Sequence, residues 1–166
     1  TEIKERVFHS FHRVPITVEE LQLKETTGTH QRVIDMVAHE LITKERIEEW
    51  KELPGVAPGV DISRDIVKLA AIERHKNTGH VGLGFLGKYG LKKGAVATSI
   101  GHDSHNLVIA GVTDEDMVLA GNRVIENGGG LAIALEGKVL ADLPLPIGGL
   151  MADEPVEVVD EKLEHM

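Results

Sequence analysis

The sequence contains no cysteine, which excludes disulfides and thiolate metal sites and leaves its nine histidines as the main metal-capable residues. No run approaches the about 20 consecutive apolar residues that cross a bilayer, and the N-terminal TEIKERVFHSF lacks the apolar core of a signal peptide. Positive charge is scarce, with 18 basic against 27 acidic residues, which disfavours a nucleic-acid or anionic-membrane surface. We therefore expect a cytoplasmic protein whose partner is a small molecule or another protein, with no nucleic acid and no membrane.

The length and composition are typical of one globular domain. The chain has 166 residues, of which 42% are hydrophobic and 27% charged. Such a chain is long enough to bury a core and too short for a large barrel with an accessory domain.

The first third of the chain predicts few regular elements. Residues 1–31 mix charged residues and turn formers, and Thr17 followed by Glu20 resembles a capping box, so we expect a connecting arm with one helical turn. The β-branched, apolar stretch over 32–42 predicts a strand, and the helix formers of KERIEEWKEL predict a short helix after it. PGVAPGV at 54–60 then predicts a turn-rich break.

The rest of the chain alternates short apolar runs with glycines, which predicts strands joined by tight turns. Thr113 begins a helix with acidic residues in its first turn and Gly128 as its stop. LAIALEGKVLADLPL predicts a hairpin around Glu136 and Gly137, and Pro155 opens a final helix. These elements predict an α+β or α/β layered domain with a mixed or antiparallel β-sheet flanked by helices.

The stretch SIGHDSHN places five polar, chemically capable side chains after an apolar run. His102 and His105 could reach one pocket if the backbone turns between them, and Asp103 could orient a ring or bind a metal, although this spacing is not the familiar helical zinc motif. His102 is the natural candidate for a general acid or base near neutral pH. The alternative is that Asp103, Ser104 and Asn106 only build a turn through bonds to nearby backbone.

Two further patterns invite a functional interpretation. Glu73, Arg74 and His75 close a predicted strand and could hold an anion, but a solvated strand end is the favoured interpretation. Residues 82–87 match GxGxxG without a following helix, so strand and turn glycines explain them better than a nucleotide loop does. No GxSxG occurs, so the sequence holds no nucleophile elbow.

Two long stretches together carry a resemblance to a known family. They read IVKLAAIERH and VGLGFLGKYGLKKGAVATSIGHDSHNLVIAGVTDEDMVLAGNRVIENGGGLAIALEGKVLADLPLPIGGLMADEP. They closely resemble the C-terminal domain of microbial adenine deaminase, in the amidohydrolase superfamily. The similarity runs from about 65 to 155, and HSFHRVPITVEELQL is similar to the linker that leaves the family's barrel. The resemblance implies an arm over 1–31 and a C-terminal-like domain over 32–166 that stops before the family's domain ends.

The resemblance implies hydrolysis of adenine to hypoxanthine and ammonia, a step of purine metabolism. In the family, a binuclear iron or manganese centre in a (β/α)₈ barrel activates the attacking water. This chain contains no HxH pair, so the barrel and its metal ligands have no counterpart in it and we expect no metal here. It is then either a fragment of the enzyme, which its start at Thr1 and its open final helix favour, or a separate domain.

What the resemblance carries over is the polar stretch itself. It implies accessory catalytic roles for His102, Asp103 and His105, and substrate binding by Ser104 and Asn106, at the mouth of the barrel. The isolated chain is then expected to be inactive, and its partners are adenine, the barrel domain and further copies in a homo-oligomer. Two alternatives stay open: a pure interaction or oligomerisation domain, and an independent hydrolase that binds metal through His102 and His105.

Overall fold

In a computed structural model that describes residues 2–23 and 28–166, one mixed β-sheet organises the chain. The strands are β1 His30–Met36, β2 Thr43–Glu49, β3 Ile66–Ile72, β4 Val81–Gly87, β5 Ala95–Thr98, β6 Leu107–Gly111, β7 Gly130–Leu135 and β8 Lys138–Pro144. They lie in the order β2-β1-β4-β3-β6-β5-β7-β8, and every neighbouring pair is antiparallel except β1 and β4. This confirms the predicted α+β layered domain, and the described residues form no (β/α)₈ barrel.

Helices flank the sheet. They are α1 Glu2–Phe8, α2 Val18–Leu21, α3 Asp114–Glu126 and α4 Val156–Glu164, with a 3₁₀ turn over Ile62–Arg64. The long helix α3 begins as predicted, because the Thr113 hydroxyl accepts a hydrogen bond from the amide of Asp116 at 3.4 Å. The last helix follows Pro155 as predicted. No helix in residues 2–23 or 28–166 has the length and apolarity that a membrane crossing requires.

The predicted arm contains more helix than the sequence indicates. It holds both α1 and α2 rather than one helical turn, and the capping box is present, since the carboxylate of Glu20 accepts from the amide of Thr17 at 3.0 Å. Thr1 and residues 24–27 of the arm lie outside the described residues.

The predicted strand over 32–42 and the helix after it are wrong in their bounds and type. β1 ends at Met36, and the helix formers that follow make the antiparallel strand β2 instead. The reason is a polar network across the hairpin. The Arg46 guanidinium donates to Asp35 at 2.9 Å and to Glu48 at 2.7 Å, and only an extended chain places Arg46 and Glu48 on one face of β2.

Apolar side chains pack on both faces of the sheet. The larger cluster lies between α3 and the sheet and contains Leu21, Ala70, Ile72, Leu107, Ile109, Met117 and Val124. Helix α3 lies so close that a Cβ on Gly121 would stand 2.6 Å from Cδ1 of Ile109. A smaller cluster on the opposite face holds Ala57, Val60, Val67, Ala110 and Val112. The Pro-Gly stretch at 54–60, where the sequence predicts a turn-rich break, therefore also covers part of the sheet.

Three connections meet at one end of the sheet. Ile72 pairs with Leu107, Thr98 pairs with Leu131, and Leu131 pairs with Leu143. Because these pairings are antiparallel, the β3–β4 connection, the β5–β6 connection and the segment after β8 lie at the same end of the sheet. The β5–β6 connection, residues 99–106, is the predicted polar stretch and is called the polar loop below.

Candidate functional site

The tip of the polar loop is open to solvent. His102, Asp103 and Ser104 are exposed, and His105 and Asn106 are half-buried. The Asp103 carboxylate accepts a hydrogen bond from the amide of Ser104 at 2.6 Å. That bond, helped by the charge of His102, lowers the pKa of Asp103 below its ordinary value. The tip therefore presents an ionised carboxylate beside an exposed imidazole.

The second histidine closes the loop on itself. His105 has a φ of +49°, a left-handed conformation that a non-glycine residue adopts at some cost. Its amide donates to the carbonyl of Gly101 at 3.2 Å, and its Nδ1 accepts from the amide of Gly101 at 3.4 Å. The neutral ring consequently carries its proton on Nε2. The turn that the sequence allowed as an alternative is thus present in the backbone of this loop.

Arg74 is buried beneath the polar loop and binds its backbone. The prediction of a solvated strand end is therefore wrong for this residue. Its side chain is 1% exposed, and burial lowers the pKa of its guanidinium. Nε donates to the carbonyl of His105 at 2.6 Å, Nη2 donates to the carbonyl of Gly148 at 3.1 Å, and the guanidinium lies 4.9 Å from the Phe11 ring centroid. None of the ion pairs within 2–23 and 28–166 includes Arg74. The group binds backbone rather than an anion.

The two neighbours of Arg74 in the chain make hydrogen bonds at the same end of the sheet. The Nε2–H of His75 donates to the carbonyl of Ser104 at 2.8 Å. The carboxylate of Glu73 accepts from the amides of Thr78 at 2.9 Å and Lys76 at 2.7 Å. These backbone bonds, that of Thr78 foremost, hold the pKa of Glu73 at about 2. Glu73 and His75 are near the surface, as a strand end predicts, yet both are bonded into the turn.

The base of the polar loop is anchored by Ser99, which is fully buried. Its hydroxyl donates to the carbonyl of Gly149 at 2.5 Å and accepts from the amide of Gly130 at 2.8 Å. A Cβ on Gly149 would lie 2.8 Å from Nη1 of Arg74, so only glycine leaves room for the guanidinium there. The loop is therefore fixed at its base by Ser99 and behind its tip by Arg74 and His75.

Sequence reasoning did not find these supporting residues. Arg74 lies 31 residues from His105 and 74 from Gly148 along the chain, and Ser99 lies 50 from Gly149. No local pattern links them. The single signal was the charged triplet at the end of β3, which the sequence offered as an anion site.

The described residues do not form a metal centre. Within 2–23 and 28–166, no group of three or more histidine, aspartate or glutamate side chains lies close enough together to hold an ion. His102 and His105 thus lack the further ligands that a zinc or binuclear site needs. The donor set does not fit a resident metal, and the independent metal hydrolase gains no support.

The polar loop lies at the surface and lines neither of two large pockets of the domain. A groove of about 520 Å³ lies between α3 and β8, and a cavity of about 310 Å³ is lined by Trp50, Lys68 and Asp114. Neither includes a residue of the loop. A ligand would meet the exposed part of the loop at this end of the sheet, in contact with solvent.

The fold and the site define an α+β domain that presents a clamped polar loop at one end of a mixed sheet. The chain belongs to the adenine deaminase C-terminal domain family, whose model matches residues 40–166. It is 42% identical over 95% of its length to an adenine deaminase of Lysinibacillus sphaericus, and 48% identical over 91% to one of Oleidesulfovibrio alaskensis. It is also 48% identical over 84% to one of Kosmotoga olearia. The chain spans only 27%, 26% and 24% of these curated relatives, about a quarter of each.

Proposed function

We propose that this chain is the accessory C-terminal domain of an adenine deaminase, and that the whole protein converts adenine and water to hypoxanthine and ammonia. The observation that carries the proposal is the likeness to curated proteins named adenine deaminase, which extends over 91–95% of the chain in two of them. The polar loop, with its exposed His102 and Asp103, is the part of the domain best suited to chemistry.

The reaction needs groups that move protons. Water adds to the ring carbon that bears the amino group, and that nitrogen must gain a proton to leave as ammonia. His102 is exposed, and an imidazole can both accept and donate a proton, so it suits a general acid or base. His105 can donate from Nε2 to a ring nitrogen or to the attacking oxygen.

The remaining polar residues of the loop suit binding. The ionised Asp103 can accept a hydrogen bond from the amino group of adenine or orient an imidazole. Ser104 and Asn106 both donate and accept, which matches the mixed donors and acceptors on the edge of a purine. Since the described residues form no metal site, we place the iron or manganese centre in a barrel outside this chain, with the loop at its mouth.

The proposal extends to where the protein works and what it assembles with. We propose a cytoplasmic enzyme of purine metabolism, assembled as a homo-oligomer in which this domain contacts the barrel. The isolated 166-residue chain is then inactive toward adenine.

The test is steady-state kinetics of the full-length protein that carries this domain. His102→Ala and His105→Asn should each lower kcat for adenine about tenfold or more, since a positioned proton-transfer group contributes about 10²–10⁴ in rate. Asparagine tolerates the left-handed backbone of His105, so this variant removes the imidazole without adding strain. His39→Asn is the matched control, because His39 is an exposed histidine with a φ of +62° at the opposite end of the sheet. Wild-type kcat in both loop variants contradicts the proposal.

A second candidate is a purely structural interaction domain. Exposed apolar residues of the β1–β2 hairpin favour it, above all Leu41 and Ile42, whose exposures are 98% and 63%. This candidate predicts the reverse pattern. Both loop variants keep wild-type kcat, and Leu41→Asp changes the assembly state in sedimentation velocity.

A further inference from the structure

We propose that Arg74 and His75 are positioning residues that clamp the backbone of the polar loop and so hold its histidines in place for turnover. The inference rests on the proposed function and deepens it, because it names the residues that prepare the loop for chemistry. Neither residue touches the substrate in this scheme. They act through the carbonyls of His105 and Ser104.

The clamp engages only backbone and leaves the chemical side chains unused. Arg74 and His75 donate to consecutive carbonyls, those of His105 and Ser104, at 2.6 and 2.8 Å. These two bonds fix where the loop tip stands relative to β3. They consume none of the donors or acceptors on the side chains of His102, Asp103 or Ser104. A binding loop benefits from this arrangement, because backbone bonds fix its position while its side chains keep capacity for a substrate.

The burial of Arg74 needs a reason beyond connecting two strands. A buried guanidinium without a carboxylate partner is costly unless carbonyls satisfy it. A hairpin connection ordinarily takes two to five residues, whereas the polar loop has eight. This chain therefore combines a long loop with a buried cation that binds its backbone. A short turn would have joined β5 and β6 without either.

Arginine also sets the position of the loop against two other segments. The same guanidinium donates to the carbonyl of Gly148 and lies over the ring of Phe11, while the carbonyl of Arg74 accepts from the amide of His12 at 2.8 Å. The arm, the segment after β8 and the polar loop thus share one fixed point. Lysine presents all of its donors from one nitrogen, so it cannot reproduce the spacing of Nε and Nη2, the two nitrogens through which the planar guanidinium reaches these carbonyls.

The experiment combines hydrogen exchange with kinetics on the full-length protein. His75→Ala should speed amide exchange of residues 100–106, followed by mass spectrometry, about fivefold, as loss of one ordinary hydrogen bond does. It should also lower kcat about threefold or more while KM changes less, because misplaced groups slow the chemical step. His75→Gln keeps an N–H donor near the position of Nε2 and should restore both values.

A matched control lies in the same connection. His80→Ala removes an exposed histidine with no side-chain hydrogen bond to the polar loop among the described residues, so exchange of 100–106 should stay at the wild-type rate. Arg74→Lys should exceed His75→Ala in both effects. Because Arg74 is buried and its variant can lose stability, the His75 pair decides the question.

The outcomes are distinct. Faster exchange with lower kcat in His75→Ala, both reversed in His75→Gln, supports the clamp. Unchanged exchange in His75→Ala overturns it, and so does faster exchange with wild-type kcat. The proposed function fails on a different measurement, namely wild-type kcat in the His102 and His105 variants, whatever the exchange rates show.

Discussion

Removal of the carboxylate of Asp114 should destabilise the domain more than any exposed charge change. Lys68 is fully buried, and its ammonium donates to the carboxylate of Asp114 at 2.7 Å and to the carbonyl of Leu21. Asp114→Ala leaves that ammonium in the core with one carbonyl as its partner. The Lys68 side chain is 1% exposed, so its ammonium depends on these two partners rather than on bulk solvent.

The expected magnitude follows from the burial of the pair. Breaking a buried ion pair by deleting one partner costs about 3–5 kcal/mol. A domain of this size shifts its melting temperature by about 2–4 °C per kcal/mol, so Asp114→Ala should melt about 6–20 °C lower than the wild type. Asp114→Asn retains an oxygen acceptor without the charge and should fall between the two.

The assay is urea unfolding of the 166-residue chain followed by the fluorescence of its single tryptophan. Trp50 packs edge-on against Phe85 with ring centroids 5.7 Å apart, so its emission reports loss of the core. The control is Glu45→Ala, which breaks the exposed pair with Arg32, where the side chains are 57% and 76% exposed. Such pairs contribute at most about 1 kcal/mol. A loss in Asp114→Ala no larger than that in Glu45→Ala refutes the reasoning.

Two further predictions concern the backbone at the clamped edge. Gly130→Ala should lower the free energy of unfolding in urea by about 3 kcal/mol or more, because φ is +132° and the added Cβ would stand 2.0 Å from the carbonyl oxygen of Leu143. The control is Gly84→Ala, whose Cβ would meet nothing within 4 Å and which should change that free energy by no more than about 1 kcal/mol. Equal losses in the two variants would contradict this. The pKa of Glu73 is held at about 2, chiefly by the amide of Thr78, against an ordinary value of 4.5. The ionised carboxylate should therefore stabilise its turn fully at pH values above 4.5, and this stabilisation should be lost as the pH falls through about 2. An NMR titration of Glu73 with its midpoint near 4.5 would exclude those bonds.

The elements that the sequence predicts well are those whose signals are local. Helix α3 begins at Thr113, whose hydroxyl caps it, and the β7–β8 hairpin turns at Glu136 and Gly137, both of which have positive φ. Cap and turn residues act within three or four positions of themselves. One supporting contact escaped local reasoning: the carboxylate of Asp116 accepts from both turn amides, at 3.1 and 2.9 Å.

Strand β2 shows where local reasoning fails. Its sequence favours helix by intrinsic preference, yet its charged side chains serve an edge strand, where charge also discourages pairing with other chains. Arg46 reaches Asp35 across the hairpin, and Glu48 reaches Arg64, 16 residues further along the chain, at 2.8 Å. Partners that far apart lie outside any propensity window, so tertiary contacts decided the conformation.

The candidate site shows the same contrast between local and distant contacts. Its candidate chemical residues are adjacent in the sequence, whereas Arg74 and His75, which hold the loop in place, lie far from it along the chain. The sequence offers a turn and a functional loop as alternative interpretations of residues 102–106, and the geometry of the loop is compatible with both. Carbonyls and amides of the loop make the turn, with Arg74, His75 and Ser99 bound to backbone. The side chains of His102 and Ser104 stay exposed at the tip. A turn bonded through its backbone is therefore compatible with a chemical role, because it fixes the loop and still leaves the imidazole of His102 exposed.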